Sequence, residues 1–433
     1  MLWSRLGLDS NQQSVITFLP TTSRSPSVNR HLSTIFFFIH LCNMYVASHV
    51  QSALQIIDLY KGEIPLAHWL KHYFRQHKKY GSRDRKQIAH LCYCYYRLGR
   101  SFQSISQKER LTIALFLCSQ TPNSLLEELA PHWNSRAGNK IEEKLSLVHG
   151  ETEVQNIFPC PFSLTDHIDK RGFLNSLLVQ PDMFLRLRPG KEEGAKRKLQ
   201  QAQITFQEIS TQCIALPNST SVENVLHLDK EAVVQDLSSQ QTLNALFSHL
   251  PAVERELTVW DCCAASGGKS ILLYDHFQNS RLIVSDIRES ILSNLRKRFE
   301  RASITNYKWM IADLTKEKAS LHQKFDVIIC DAPCSGSGTW SRTPEQLYFF
   351  DAKRIEYYTA IQKAILKNVV SHLKSNGFLV YITCSVFKEE NEGIVQFILD
   401  NGRLSLKNME YITGYHQKAD TLFTALFQRS EVD

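Results

Sequence analysis

Long apolar runs are missing from this 433-residue sequence. No stretch approaches the roughly 18 consecutive apolar residues that a membrane-spanning helix needs, and the run at 35–39 is far too short. We therefore expect no membrane partner.

Cysteine motifs with metal-ligand or disulfide spacing are also missing. The eleven cysteines are odd in number and include no C-x-x-C pair, which argues against a disulfide framework and against a zinc finger. We expect a cytoplasmic location, no bound metal, and several cysteines that serve as small buried hydrophobic residues.

The sequence also lacks a strong excess of charge of one sign. Lys plus Arg number 50 against 43 Asp plus Glu, a net charge of +7. This excess fits a polyanionic partner and fits a protein without one equally well. A hydrophobic content of 43% and a charged content of 21% are typical of a globular chain and exclude disorder, collagen and coiled coil as the dominant class. The length predicts two to four domains, and we expect a monomer.

Residues 1–43 differ from the rest of the chain. Ser, Asn and Thr are frequent, and Asp9 is the single acidic residue. Met44 directly precedes a helical pattern, so we expect translation to start there and 1–43 to be a disordered or mis-assigned extension. A transit peptide is the alternative.

Apolar residues recur at helical spacing through 44–150, as in Val50, Leu54, Ile57 and Leu59, and predict a helical domain. Between 61 and 100 there are ten basic residues and two acidic ones. Aromatic residues lie among the basic ones: Tyr73, Phe74, Tyr80, Tyr93, Tyr95 and Tyr96. This mixture could hold RNA, or it could be the solvated face of an amphipathic bundle, which the pattern alone favours slightly.

The rest of the chain predicts two further domains. Residues 151–245 mix strand-like pieces, at 183–188 and 222–228, with a charged helix at 192–203, which indicates a small α+β domain. Residues 246–433 alternate strand and helix, which predicts an α/β domain with a parallel sheet and helices on both faces.

Small residues follow the first strand of that α/β domain, in Asp-Cys-Cys-Ala-Ala-Ser-Gly-Gly-Lys-Ser (261–270). Such a turn lets the backbone approach a ligand closely. Asp286 ends the second strand and can accept hydrogen bonds from both ribose hydroxyls, and Asp313 follows the third strand beside the expected adenine. The turn lacks the G-x-G-x-x-G of dinucleotide enzymes, so S-adenosylmethionine is the expected cofactor.

Two cysteines lie where later strands of the same sheet end. The fourth strand runs into Asp-Ala-Pro-Cys-Ser-Gly-Ser-Gly (331–338), and the fifth runs into Thr-Cys-Ser (383–385). Thiols facing one ligand suggest covalent catalysis. A thiolate that adds to C6 of cytosine makes C5 nucleophilic, and the reaction then needs a proton donor near N3 and a group that assists release. Cys384, Asp331 and Cys334 can supply these three roles, with Asp331 protonated or sharing a proton with the base.

These motifs resemble the Sun/Fmu/Nop family of RNA cytosine-5 methyltransferases. The turn at 263–269 is similar to that family's Cys-Ala-Ala-Pro-Gly-Gly-Lys, 235–240 is similar to the motif before its catalytic domain, and Glu390-Asn-Glu392 matches the start of the helix after Thr-Cys-Ser. The helical N-terminus with Arg83-Asp-Arg85 resembles the NusB-like RNA-binding domain of the bacterial ribosomal members. The resemblance implies a Rossmann-like class I methyltransferase domain at 246–433, preceded by a small α+β domain at 151–245 and an all-α NusB-like domain at 44–150.

The resemblance also implies roles for individual residues. Cys384 would attack C6, Cys334 would assist release of the product, and Asp331 would lie between cofactor and base. The cofactor would be bound by Cys263, Ala264, Ala265, Ser266, Gly267, Gly268, Lys269, Asp286, Asp313 and Asp331.

Three positions depart from the family's pattern. Ser266 replaces Pro, which loosens the turn but leaves tolerable cofactor binding. Arg188-Pro189 replaces Val-Asn and puts an RNA contact in doubt. Ala419-Asp-Thr-Leu-Phe423 replaces Gly-x-Asp-Gly-Phe-Phe near the C-terminus, but Asp420 and Phe423 are kept, so we expect the closing hairpin to be present.

The implied function is transfer of a methyl group to C5 of a cytosine in RNA. Small-subunit ribosomal RNA is the expected substrate and transfer RNA the nearest alternative. An amine methylase would need Asn/Asp-Pro-Pro-Tyr/Phe after the fourth strand, where this chain has Asp-Ala-Pro-Cys. A non-catalytic RNA-binding assembly factor ranks low because both thiols and both cofactor acids are present.

Overall fold

The computed structural model describes residues 45–158, 163–250, 255–316, 321–401 and 404–431. The predictions made for 1–43 lie outside these residues. The chain forms two compact units that divide after Ser48, and the described part of the first, residues 45–48, is helical. Among the described helices, none combines the length and the apolar character needed to cross a bilayer.

The second unit begins with helices, as the apolar spacing predicts. Their buried side chains include Tyr73, Tyr80, Tyr95 and Tyr96, which therefore pack in the core and are not free to stack on bases. Leu59 is exposed, so the prediction that it lies on the buried face of its helix is wrong. The helices are α1 (49–59), α2 (Leu66–Gln76), α3 (Ser82–Arg97), α4 (Gln107–Cys118), α5 (Ser124–Leu129), α6 (Pro131–Asn134), α7 (Ile141–Leu147) and α8 (Lys170–Leu177).

A four-stranded antiparallel sheet follows, in the order β2-β3-β1-β4. Its strands are β1 (Met183–Leu187), β2 (Gln207–Ser210), β3 (Cys213–Leu216) and β4 (Ala232–Val234), and α9 (Glu192–Gln201) packs on it. The strand predicted at 222–228 is wrong. That segment forms turns, and its apolar residues Val222 and Leu226 are buried against the sheet without being part of it.

A seven-stranded sheet forms the C-terminal part, in the order β10-β11-β9-β8-β5-β6-β7. The five strands from β5 to β9 are parallel, and the closing hairpin of β10 and β11 packs antiparallel against β9 through β11. The predicted parallel sheet and hairpin are thus confirmed. The strands are β5 (Leu257–Asp261), β6 (Ser280–Asp286), β7 (Tyr307–Ile311), β8 (Phe325–Asp331), β9 (Leu373–Thr383), β10 (Leu404–Thr413) and β11 (Thr421–Arg429).

Alternate residues of the central strands enter separate cores on the two faces of this sheet. Val259 joins the core with α12 and α13, whereas Trp260 joins the core with α15 and α16. Near-continuous apolar strands are typical of a sheet covered on both faces. The helices are α10 (Leu237–Gln241), α11 (Asn244–His249), α12 (Gly268–His276), α13 (Glu289–Arg301), α14 (Pro344–Phe349), α15 (Lys353–Val369) and α16 (Glu392–Asn401).

The strand order reverses between β5 and β8. From β5 the chain proceeds to β6 and β7 on one side, and from β8 it proceeds to β9 on the other. In open α/β sheets, ligands bind outside the carboxyl ends of strands at such a point. The expected cofactor turn follows β5, and the Asp331 motif follows β8, so this reversal places both at one edge.

Candidate active site

The turn between β5 and α12 depends on a glycine in a left-handed conformation. Gly267 has φ +82°, and a Cβ there would lie 2.8 Å from Phe299 and 3.0 Å from Leu295. Gly268 begins α12, and the nearest neighbour to a Cβ built there is Gln235 Nε2 at 4.0 Å. The first glycine is required by the fold, while the second leaves open space at the N-terminus of a helix.

Ser266 is held in this turn by a contact that the sequence did not reveal. Arg298 on α13 donates from Nη1 to the Ser266 carbonyl at 2.9 Å and to its hydroxyl at 3.0 Å. The loosening expected from the loss of proline is therefore countered by Arg298.

Asp286, at the end of β6, is buried and faces the turn. Its Oδ2 accepts a hydrogen bond from the Ala265 amide at 3.1 Å. Arg288 donates from its backbone amide and its Nε to Oδ1, at 2.9 and 3.0 Å. The exposed Arg288 side chain would have to share this carboxylate with a ribose, and no pattern in the sequence pointed to its involvement.

Asp313 follows β7 at the same edge of the sheet. Its Oδ1 accepts hydrogen bonds from the Thr315 hydroxyl at 2.5 Å and the Thr315 amide at 3.1 Å. The Thr315 hydroxyl, the Thr315 amide and Lys316 lower the pKa of Asp313 against a smaller opposing effect of burial. The carboxylate therefore has a structural role in its own turn, whatever contact it makes with a cofactor.

Lys269 links the turn to the Asp331 motif. Its ammonium Nζ lies 2.6 Å from Asp331 Oδ2, and the Lys269 side chain is only 11% exposed. Burial lowers the pKa of Lys269, but the Asp331 charge and hydrogen bond outweigh it and the net shift is upward. An ammonium at this distance favours the ionised form of a carboxylate, so the proton of this pair lies on Lys269 and not on Asp331, where we expected one from the sequence.

The structure brings the two predicted thiols together. Cys334 Sγ and Cys384 Sγ lie 3.3 Å apart, and both residues are partly exposed. The Gly338 amide donates to the Cys384 carbonyl at 2.9 Å, which joins the two loops. The hydrogen bond to Cys384, and then burial, raise the pKa of the Cys334 thiol. The Cys334 thiol therefore keeps its proton at neutral pH.

Three further thiols cluster behind the turn. The Sγ atoms of Cys262, Cys263 and Cys330 lie within 4.8 Å of one another, a grouping with the donor set for a soft metal ion. Cys262 and Cys330 are buried in the apolar core under α15 and α16, so core packing accounts for two of the three.

The donor set fits S-adenosylmethionine. Asp286 and Asp313 lie at the carboxyl ends of adjacent strands and Asp331 at the end of β8, so carboxylates border the edge on both sides of the turn. Carboxylates can accept from ribose hydroxyls and balance a positive sulfonium. The open space above Gly268 leaves room for a ligand at the start of α12.

Arg188 lies away from this edge and is fully engaged within the protein. It donates to Asp275 Oδ1 on α12 and to the carbonyls of Asp229 and Ala302. Its side chain is therefore bound within the protein, and the effect of the Arg-Pro substitution on an RNA contact stays a prediction.

The C-terminal part of the chain is similar to a known family. A family model described as 16S rRNA methyltransferase RsmB/F matches residues 249–428. Ribosomal RNA small subunit methyltransferase F from Aeromonas salmonicida (strain A449) is 30% identical over 175 residues, 40% of this chain and 37% of that protein. Ribosomal RNA small subunit methyltransferase B from Pasteurella multocida (strain Pm70) is 29% identical over 247 residues, 54% of this chain and 53% of that protein.

Solved structures support the fold. PH0851 superposes with a TM-score of 0.65 at 17% identity, over 89% of this chain and 99% of its own. A methyltransferase homolog protein from Pyrococcus horikoshii gives a TM-score of 0.53 at 22% identity, over 66% of this chain and 98% of its own. The predicted Rossmann-like fold class is confirmed.

These matches confirm the resemblance stated from the motifs. Residues 249–428 are similar to the domain of that family model, and the chain is similar to the two relatives. The chain spans between about a third and a half of the length of the two curated relatives, 37% and 53%.

Proposed function

Because residues 249–428 carry an RsmB/F-type methyltransferase domain, we propose that this protein transfers a methyl group from S-adenosylmethionine to C5 of a cytosine in RNA. The observation that carries the proposal is the Cys334–Cys384 thiol pair, 3.3 Å apart, at the sheet edge that also holds the cofactor turn. An amine methylase has no use for two thiols in contact, whereas covalent activation of C6 needs one nucleophile and one group to assist release.

Cys384 is the proposed nucleophile. Its Sγ forms a bond to C6 of cytosine, and the electron pair of the C5–C6 double bond makes C5 nucleophilic. S-adenosylmethionine, when bound, supplies an electrophilic methyl group. Cys334, whose pKa is raised by its contact with Cys384 and by burial, starts the cycle protonated. We assign it the removal of the C5 proton after methyl transfer: once its own proton has passed to water, the Cys334 thiolate takes the C5 proton, the C5–C6 double bond re-forms, and the bond from Cys384 Sγ to C6 breaks.

Asp331 and Lys269 form the proposed proton source at N3. As C6 is attacked, negative charge develops on the pyrimidine ring and a proton near N3 stabilises it. Lys269, 2.6 Å from Asp331, holds that proton; as charge develops at N3, the Lys269 ammonium gives a proton to the Asp331 carboxylate and the carboxyl group gives one to N3, which leaves Lys269 neutral.

Small-subunit ribosomal RNA is the proposed substrate. The relatives in Aeromonas and Pasteurella are named for that RNA. Exposed basic residues on α2, α3 and the loop between them fit a phosphate backbone. They are Lys71, Arg75, Lys78, Lys79, Arg83, Arg85 and Lys86. We place the activity in the cytoplasm, in a monomer, and keep transfer RNA as the second candidate.

The test combines tritiated S-adenosylmethionine with three RNA pools: naked small-subunit rRNA, whole small subunits and unmodified tRNA. We expect label in 5-methylcytosine from an rRNA pool. Cys384→Ala should abolish it, because no adduct can form. Cys334→Ala should instead accumulate a protein–RNA complex that survives denaturing gel electrophoresis, because release is blocked. Cys213→Ala, a buried thiol of the small sheet, is the matched control.

The other outcomes separate the alternatives. Label only in tRNA would keep the chemistry and change the substrate. Label that persists in Cys384→Ala and appears on an amine would support the amine methylase. RNA binding without label in any pool would favour the assembly factor.

A further inference from the structure

Glu390 is buried beneath the two thiol-bearing loops. It ends a short helical turn that precedes α16, and its side chain is fully shielded from solvent. Its Oε2 accepts hydrogen bonds from the hydroxyls of Ser335 and Ser385, each at 2.5 Å. Its Oε1 accepts from the Ser335 amide at 2.9 Å and from Gln362 Nε2 at 3.1 Å.

The two serines bound by this carboxylate directly follow the two cysteines. Ser335 comes after Cys334, and Ser385 comes after Cys384. The hydrogen bond from the Ser335 amide fixes the peptide plane between Cys334 and Ser335. Gln362 extends the same network because its Nε2 also donates to the Pro333 carbonyl at 3.0 Å. One carboxylate therefore binds the residue that follows each thiol, through the backbone and hydroxyl of Ser335 and through the hydroxyl of Ser385.

The chemistry of these contacts requires a carboxylate. Four donors point at two oxygens, and an ionised carboxylate has about four acceptor sites and no hydrogen to place. An amide of the same shape would offer one oxygen and turn an NH₂ group toward donors. Among the described residues, Glu390 has no cationic partner, so its charge is balanced by neutral donors alone. Burial raises its pKa, and the serine and Gln362 hydrogen bonds oppose that shift.

Burying a carboxylate costs free energy because the charge loses its hydration. Packing alone therefore does not explain an acid at this position. Its position beneath both thiols indicates what it contributes. Loop residues 333–335 and 383–385 follow different strands, β8 and β9. The Gly338 contact and Ser337 Oγ, which accepts from the Val386 amide at 2.9 Å and lies 3.3 Å from Ser385 Oγ, also join the two loops, but Glu390 is the charged group that binds residues of both.

We propose that Glu390 is a positioning residue that holds Cys334 and Cys384 at contact distance by binding Ser335 and Ser385 together. This inference rests on the roles proposed above for the two thiols. It goes beyond them in assigning their alignment to a side chain that touches neither substrate nor cofactor.

The experiment uses the full chain and compares Glu390→Gln with Glu389→Gln. Glu389 is the more accessible neighbour, so the control makes the same chemical change outside the network. Two properties are measured: methyl transfer to RNA, and the rate at which diamide joins Cys334 to Cys384 in the absence of RNA. In the second reaction the two thiols lose two electrons and two protons to diamide and form a disulfide, which mass spectrometry of the crosslinked peptide detects.

We expect Glu390→Gln to lower kcat by about 100-fold, since misplacement by about 1 Å can cost that much. The KM for S-adenosylmethionine should stay within about twofold, because the cofactor turn is not touched. Disulfide formation should slow by about 10-fold, since it needs specific sulfur geometry. Glu390→Asp, which keeps the charge but is shorter, should recover part of both rates.

A folded Glu390→Gln protein that forms the Cys334–Cys384 disulfide at the rate of the unmodified chain would overturn the proposal. If that variant does not fold, Ser335→Ala and Ser385→Ala each remove one donor, and unchanged disulfide rates in both would overturn it equally. The disulfide readout needs no RNA. A chain that methylates no RNA pool would refute the proposed function, while the disulfide rates would still decide the role of Glu390.

Discussion

Gly267 is the residue on which the shape of the cofactor turn depends most directly. Any side chain here would be disfavoured for two reasons: the backbone is left-handed, with φ +82°, and a Cβ would lie 2.8 Å from Phe299. We expect Gly267→Ala to lower the free energy of unfolding by about 2–4 kcal/mol and to weaken binding of S-adenosylmethionine. Urea denaturation and equilibrium dialysis measure the two effects.

Gly268→Ala provides the matched control for stability. A Cβ there meets nothing nearer than 4.0 Å, and alanine is the better helix former, so the free energy of unfolding should stay unchanged or rise by up to about 1 kcal/mol. Equal destabilisation by the two substitutions would show that the turn does not depend on the Gly267 conformation.

At the scale of single residues, the sequence identifies reactive side chains more readily than it identifies which side chains contact each other. Cys334 and Cys384 could be found because each follows a strand in a distinctive motif. The pairing of Arg298 with Ser266 and that of Glu390 with Ser335 could not, because the partners lie 32 and 55 positions apart in the chain. Nothing in a local pattern specifies such a pairing.

At the scale of elements, α2 and α3 carry the exposed basic residues of the N-terminal helices. Most of their aromatic neighbours are buried, so we expect RNA binding here to come mainly from charge and not from stacking. Replacing Arg75, Arg83 and Lys86 by Ser should weaken RNA binding and make the slope of log K against log salt shallower by about 2, because each phosphate neutralised on single-stranded RNA contributes about 0.7 to that slope. Filter binding at several salt concentrations measures this slope.

The control for that experiment removes the same charge elsewhere. Lys108, Lys140 and Lys407 are exposed and lie outside α2 and α3, so their replacement by Ser should leave the slope unchanged. Equal slopes in the two triple variants would show that binding follows net charge and not this pair of helices.

Elements also differ in how well the sequence predicts them. The parallel strands β5 to β9 are recognised because most of them are apolar runs that end in polar motifs. The segment 222–228 also contains closely spaced apolar residues, but the Val222 carbonyl accepts hydrogen bonds from the amides of Val225 and Leu226, and the segment so forms turns. Both the strands and this segment are apolar because both are buried. Only tertiary structure distinguishes a strand from an apolar loop packed on a sheet. The boundaries predicted between the domains stay predictions.

At the scale of the whole molecule, Asp275 joins the small antiparallel sheet to the methyltransferase domain. It lies on α12, the helix that begins at the cofactor turn, and accepts from Arg186 Nη1 and from Arg188 Nη2, each at 2.5 Å. The three side chains are only 6%, 6% and 13% exposed for Asp275, Arg186 and Arg188. Removing one member of such a group leaves the others charged and without hydration.

We therefore expect Asp275→Ala to lower the free energy of unfolding by about 3–5 kcal/mol. The matched control is Glu256→Ala, because Glu256 pairs with Arg281 at 3.7 Å on the surface, with side chains 44% and 42% exposed, and such pairs contribute less than about 1 kcal/mol. Urea denaturation compares the two variants. Because α12 carries both Asp275 and the start of the cofactor site, binding of S-adenosylmethionine should weaken in Asp275→Ala as well. If stability fell while cofactor affinity stayed the same, the small sheet would be attached to the methyltransferase domain without helping to orient α12.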